Sequence, residues 1–187
     1  IDGILWAYSN KGTLAFFDTT SSSFNAVFQL PSHNNIYDLV KLDLGKIGFS
    51  QNLNLANIQF RNHNYFILSG GFKEIVEVNP GLFGIAVTGL AGIVGSQNND
   101  WLKIPGKDEY YTGFQNSRCR TIIADVRVKS VCYNKIKDIL YFATNSGIYY
   151  ANKTTQGEIK YENNKVYANK ISIFNNTVYF FLNNGEI

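Results

Sequence analysis

The chain has no methionine, three prolines, two cysteines and two histidines in 187 residues, and each scarcity removes a class of explanation. Two histidines, His33 and His63, in the polar contexts Ser32-His33-Asn34 and Asn62-His63-Asn64, match no metal-binding spacing and read as turn or loop residues. Two cysteines exclude a disulfide framework and a four-cysteine zinc site; at most Cys119 and Cys132 could close one bridge in an oxidising compartment, and the alternative is a small core residue at Cys132 and a thiol at Cys119. Charged residues make up 17% of the chain without a block of five like charges, and the net charge is +3. That argues against a disordered tail and against a nucleic-acid or membrane-surface footprint. The longest weakly charged stretch, Pro80 to Asp100, is apolar only from Gly81 to Gly95 and is broken by glycine, so no transmembrane segment is expected in this chain. No charged and then apolar leader opens the sequence, which suggests a removed leader or a piece of a longer polypeptide.

Chemical motifs are equally sparse. A Gly-x-Ser-x-Gly elbow and an Asp-rich calcium loop are missing. The run Gly89-Leu90-Ala91-Gly92-Ile93-Val94-Gly95 has the wrong spacing for dinucleotide binding and reads as a tight strand-to-strand turn. Asp38 with Asp43, or Asp108 with Glu109, could be nominated as a carboxylate pair for glycoside chemistry, but only the fold can bring such groups together, and Asp108 and Glu109 read as a solvated loop tip. Two Asn-x-Thr sequons, at Asn152 and Asn175, are expected by chance in an Asn-rich chain and matter only in a eukaryotic secretory setting. No cofactor and no metal site is expected.

What the chain does have is aromatic residues and asparagine: 14 Phe, 12 Tyr, 2 Trp and 23 Asn. The first group suits a pleated, half-buried strand surface. Asparagine falls mostly between apolar runs, where it tolerates a left-handed backbone and closes turns. One phrase recurs: Leu5-Trp6-Ala7-Tyr8-Ser9-Asn10-Lys11-Gly12, then Leu140-Tyr141-Phe142-Ala143-Thr144-Asn145-Ser146-Gly147, then Val178-Tyr179-Phe180-Phe181-Leu182-Asn183-Asn184-Gly185. It predicts a strand, an Asn-x-Gly turn and a return strand. Weaker copies are Ile47 to Asn54, with Asn54 in the glycine position, and Leu82 to Gly89. The markers at 12, 54, 89, 147 and 185 are 42, 35, 58 and 38 residues apart. Three of these intervals lie near the length of a four-stranded propeller blade, about 40 to 50 residues.

Short strands also precede the markers, as in Lys129-Ser130-Val131-Cys132-Tyr133 before a turn at Asn134 to Asp138, and Lys170 to Phe174 before Asn175-Asn176. The expected architecture is all-β: a β-propeller of about four blades over 1–187, with an insertion at about 98–120 that accounts for the long interval. Ile122 to Lys129 reads as strand because of its β-branched residues. The ends, inside one inner strand and just after the turn of another, suggest a segment of a larger propeller of six to eight blades, a complete small ring being the alternative.

The phrase Leu140 to Tyr150 resembles the propeller repeat of bacterial two-component regulators: an aliphatic-aromatic pair, a small or hydroxyl residue, then Asn-x-Gly-aliphatic-x-Tyr. Leu5 to Asp18 follows the same pattern. The middle copies, with Gly48 and Phe83-Gly84 in the aromatic neighbourhood, depart from it. The resemblance implies a non-enzymatic binding or scaffold module, extracytoplasmic (periplasmic or at the cell surface), in a sensor or cell-envelope assembly and within a larger polypeptide or assembly. The alternatives are a fragment of a propeller glycosidase or polysaccharide lyase, and a glycan-binding lectin-like propeller. Trp6, Phe83, Tyr141 and Tyr179 share one repeat position, which fits a row of ligand-stacking aromatics but is more simply core between blades. The candidate site for a protein partner or glycan is the insertion with its flank: Trp101, Tyr110, Tyr111, Phe114, Arg118 and Arg120. Tyr, Trp and Arg dominate recognition hot spots, and loops on a rigid scaffold carry function; the alternative there is that Trp101 and Phe114 cap the core beneath a long loop.

Overall fold

A computed structural model of the chain describes residues 1–31, 34–42, 55–96, 99–103 and 117–187. The protein is all-β, built from several antiparallel sheets, and the described residues contain no α-helix. The strands group into two units, residues 1–42 with 51–72, and 43–50 with 73–187.

In the first unit, β1 (Trp6–Tyr8), β2 (Thr13–Asp18) and β3 (Ser23–Gln29) form a meander. A second sheet has β4 (Ile36–Val40), β5 (Leu55–Phe60) and β6 (His63–Ser69) in the order β4, β6, β5. Leu14, Leu30, Ile36, Leu39, Ile58, Tyr65 and Ile67 make the core, with Trp6, Phe28 and Phe60 packed against it. β6 buries every side chain from Tyr65 to Ser69, and β4 contributes Ile36 and Leu39 from either side of a register shift. The Tyr65 hydroxyl, in an otherwise buried side chain, donates to Asp2 Oδ2 at 2.8 Å, and Lys41 Nζ binds both oxygens of the same carboxylate at 3.0 and 2.9 Å. Burial, and then this carboxylate, push the Tyr65 phenol up to about 12. The two-residue β5–β6 turn, Arg61-Asn62, has φ of 48° and 65° at its two positions, the left-handed pair that a tight hairpin needs. It places the Arg61 guanidinium 5.3 Å from the rings of both Phe16 and Phe60.

In the second unit a seven-stranded sheet runs through β7 (Phe72–Asn79), β8 (Leu82–Ser96), β9 (Ser117–Asn134), β10 (Ile139–Thr144), β11 (Gly147–Ala151), β12 (Gln156–Tyr161) and β13 (Asn164–Lys165), each paired with the next. A hairpin of β14 (Ala168–Phe174) and β15 (Thr177–Leu182) forms a separate sheet. The strands β8 and β9 are long enough to serve two neighbours: residues 88–96 of β8 pair with 117–127 of β9, while 128–134 of β9 pair with β10. The sheet curls between them. A Cβ on Gly84 of β8 would lie 2.6 Å from Leu140 Cδ2 on β10 and 3.2 Å from Val131 on β9, so the β8 backbone crosses directly over the β9–β10 layer. Leu82, Ala86, Val131, Leu140 and Phe142 fill the space between. The other face of β10 and β11, through Tyr141, Ala143 and Ile148, carries Ile171 of β14 and Val178, Phe180 and Leu182 of β15. β10 is therefore covered on both faces, which accounts for its nearly continuous apolar sequence.

Two of the strong markers share one turn geometry. Ser9 N–H donates to Thr13 C=O (2.9 Å) and Gly12 N–H to Ser9 C=O (3.3 Å); Leu182 and Glu186, Gly185 and Leu182 repeat the pair at 2.8 and 3.1 Å. Gly12 and Gly185 have φ of 80° and 88°, which explains the glycine there. The copy at 147 closes more tightly: Thr144 pairs directly with Gly147 across a two-residue turn. A hydroxyl caps two of the copies, with Ser9 Oγ accepting from Lys11 N–H at 3.1 Å and Thr144 Oγ1 from Ser146 N–H at 3.0 Å.

Other expectations change. Leu82 to Gly89 is not a strand ending in a turn, because β8 continues to Ser96. Gly89, at φ 86°, instead marks a bulge where the register to β9 shifts. The glycines to Gly95 thus belong to a strand rather than to a tight turn; Gly92 lies where a Cβ would stand 2.9 Å from Arg120 C=O. Residues 117–120 open β9 rather than belonging to a loop, and Ile122 to Lys129 is strand, as its side chains require. The copy at 47–54 lies outside the described residues.

Candidate binding site

The expected site residues have unlike environments. Trp101 sits in a 3-10 turn, Asp100–Leu102, which the side chain of Asn99 caps by accepting from Trp101 N–H at 3.1 Å. Its ring is 1% exposed and meets Tyr133 edge-on at 6.2 Å. Arg120 is likewise 1% exposed. Its guanidinium donates to three main-chain carbonyls, Trp101 (3.2 Å), Asn152 and Thr155 (3.1 Å), while Nε donates to Gln156 Oε1 at 3.2 Å. Burial lowers its pKa to about 10. Arg120 thus ties the 3-10 turn to the β11–β12 hairpin from inside, and the structure brings it together with Trp101 as packing rather than as an open face. Arg118 is half-buried on β9 opposite Gly95. Tyr110, Tyr111 and Phe114 lie outside the described residues, as do His33, Asp43, Asp108 and Glu109. His63 is exposed at the start of β6, edge-on to Tyr65 at 6.3 Å. Asp38 accepts from the adjacent Leu39 N–H at 2.8 Å.

Cys119 and Cys132 form no disulfide. They stand thirteen positions apart on the single strand β9, a separation of roughly 40 Å along an extended chain, against the 4.4 to 6.8 Å between Cα atoms that a bridge allows. Burial, and then Glu74, push the Cys132 thiol up to about 12, which makes it a poor nucleophile.

A polar joint, buried at Ser130 and reaching the surface at Lys170, lies beside it. Glu74 of β7 accepts from the Ser130 hydroxyl at 2.8 Å and from Val131 N–H, and pairs with the Lys170 ammonium; Ser130 Oγ in turn accepts from Ile171 N–H at 3.3 Å. Ser130 is fully buried, so this hydroxyl meets no substrate from solvent; the network fixes β7, β9 and β14 to one another. Among the described residues no group of three or more His, Cys, Asp or Glu side chains could hold a metal ion, and no helix is long and apolar enough to cross a membrane.

An open concavity lies elsewhere, along β15. A groove of about 940 Å³ has Ile148 of β11, Ile159 of β12, Val166, and Phe180 and Leu182 of β15 on its floor. That volume is within the usual range for ligand sites. Its rim carries Tyr161, Tyr167, Asn164, Asn184, Lys160, Lys165 and Glu186. Lys165 is held by Glu158 at 2.9 Å, and this hydrogen bond raises the lysine pKa. Tyr161 is 70% exposed, so an aromatic face is presented to solvent beside an apolar floor. Of the four aromatics at one repeat position, Phe83 and Tyr141 are buried, Trp6 is half-buried against Phe60 and Tyr65, and Tyr179 is exposed. Sequence reasoning passed over the groove because its residues come from four strands and the segments between them. The available signal was β15 itself, where both alternating sets, Val178-Phe180-Leu182 and Tyr179-Phe181, are apolar. No protein-family model matches the chain, and no curated protein matches it.

Proposed function

We propose that this chain is part of a β-propeller acting as a non-enzymatic binding or scaffold module, in the extracytoplasmic part of a bacterial sensor or cell-envelope assembly, with the groove along β15 as its ligand site. The observation that carries the reading is the stacking of β14–β15 face-on against β10–β11, each hairpin holding one copy of the repeat. Antiparallel sheets packed face to face, one repeat to a sheet, are the unit from which a radial array is built. The shared turn geometry at Gly12 and Gly185 supports the same reading. A glycan ligand is the second reading, favoured by Tyr161 and Tyr167 beside the amides of Asn164 and Asn184 on the groove rim.

The test combines a structure of the intact polypeptide with fractionation of the cells that make it. Blades around a common axis, with β9–β12 and β14–β15 as neighbours, and a location outside the cytoplasmic membrane are expected. A closed two-layer sandwich or a cytoplasmic location would refute the reading, as would sugar released from polysaccharides incubated with the purified chain.

A further inference from the structure

We propose that the end of the second unit where the β9–β10, β11–β12 and β14–β15 turns meet docks on an anionic lipid surface, with Ile136 and Phe174 entering the interface and Lys135 and Lys137 facing its phosphates. None of these residues lines the groove along β15, so the inference stands or falls separately from the reading of that groove.

The three turns lie far apart in sequence and are tied together by side chains. Asn134, 1% exposed at the end of β9, joins two of them. Its Oδ1 accepts from Ile136 N–H at 3.1 Å and from Lys137 N–H at 3.0 Å, which closes its own turn, and its Nδ2 donates to Asn176 C=O in the β14–β15 turn at 3.1 Å. The β11–β12 turn joins through Lys153 Nζ, 3.2 Å from Asp138. The tips therefore form a fixed platform, and docking orders little that is not already ordered.

On this platform Ile136 is 70% exposed and Phe174 66%. One exposed apolar residue needs no explanation, but two on turns held together by a buried side chain make a patch. The uncompensated charge beside them is positive. Asp138 is engaged by Lys153 and by the Tyr133 hydroxyl at 2.6 Å, and Asp100, which also feels Lys153, is paired with Lys103 at 2.9 Å. Lys135 and Lys137, on either side of Ile136, are exposed and make no ion pair among the described residues. The sequence contains no block of like charge, so this footprint exists only once the turns are brought together. Its chemistry decides the occupant. Two apolar side chains supply far less than the roughly 800 Å² per partner that a stable protein interface buries. A lipid surface needs no matching pocket: it closes around projecting apolar side chains while its phosphates attract the lysines beside them.

Vesicles of phosphatidylglycerol and phosphatidylcholine are the probe, with phosphatidylcholine alone as the neutral control. The full chain is expected to cosediment with the anionic vesicles and to be released by added salt. Changing Lys135 and Lys137 together to alanine should weaken binding about twentyfold, at about fivefold for each lysine, and Ile136→Ser with Phe174→Ser about tenfold or more. All four positions are exposed, so the denaturation midpoint of these variants should stay where it is. Phe174→Trp reads insertion directly: Trp101 is buried and Trp6 half-buried, so a blue shift of emission on vesicles reports the new residue. No cosedimentation, unchanged binding in either double variant, or an unshifted emission in Phe174→Trp overturns the proposal. Binding to polyglutamate that both double variants weaken, with vesicles ignored, overturns it as well and assigns this end of the fold to an acidic protein.

Discussion

Replacing Arg120 by methionine tests whether this buried cation is a structural strut. The change keeps the length and most of the apolar stem but removes the donors that reach Trp101, Asn152, Thr155 and Gln156. Two effects oppose each other. Taking a charge out of a buried site relieves a desolvation penalty, and apolar replacements of buried ions are sometimes neutral for that reason. Against this, each carbonyl left without a donor costs about 1–3 kcal/mol if water cannot reach it. Thr155 and Gln156 are exposed and Asn152 is half-buried, so water replaces much of what they lose; the carbonyl of buried Trp101 is the one left stranded. The expected net loss is about 2 kcal/mol, or about 4–8 °C in Tm for a chain of this size. Arg120→Lys should do no better, because a single ammonium keeps the burial cost and cannot span four acceptors. Urea denaturation followed by tryptophan fluorescence measures the stability, and hydrogen exchange at residues 152–156 checks that the loosening is local. If the methionine variant is as stable as the parent chain, the carbonyl contacts contribute nothing net and the strut is refuted.

Gly84→Ala should destabilise by about 1–3 kcal/mol, since the added methyl falls 2.6 Å from Leu140 Cδ2 and the curled sheet must open to admit it; an unchanged denaturation midpoint would mean that β8 does not cross over β10 there. Asp2 should titrate below the ordinary value of 3.8, because Lys41 and Tyr65 both donate to its carboxylate. A depressed folded-state value means that its contribution to stability is present above the unfolded carboxylate pKa and lost as pH falls through the folded one. An NMR titration of the Asp2 carboxyl should therefore move upward in Lys41→Ala, and an unmoved midpoint would refute the contact. Both cysteines should react with a thiol reagent in denaturant without prior reduction, while Cys132 reacts slowly in the native protein at pH 8; a thiol count of zero in denaturant would indicate a bridge.

How far the sequence could be read depended on whether the deciding interaction was local. Asn175-Asn176 was legible as a turn because both residues adopt left-handed φ, 46° and 63°, which is a property of asparagine itself. The markers at Gly12 and Gly185 were legible for the same reason. Gly89 misled because a glycine at positive φ serves a bulge as readily as a turn, and the choice was made by residues distant in sequence, where β9 pairs alongside and carries β8 on to Ser96. Arg120 misled in a parallel way. An arginine next to an aromatic, polar stretch has the composition of a recognition surface, yet three carbonyls from two separate turns converge on it and draw it inside. Composition reports which groups are available to bind, whereas the fold decides whether they face a partner or their own backbone. The β15 edge follows the same rule with the outcome reversed: the residues that look like core, Phe180 and Leu182, line the open groove.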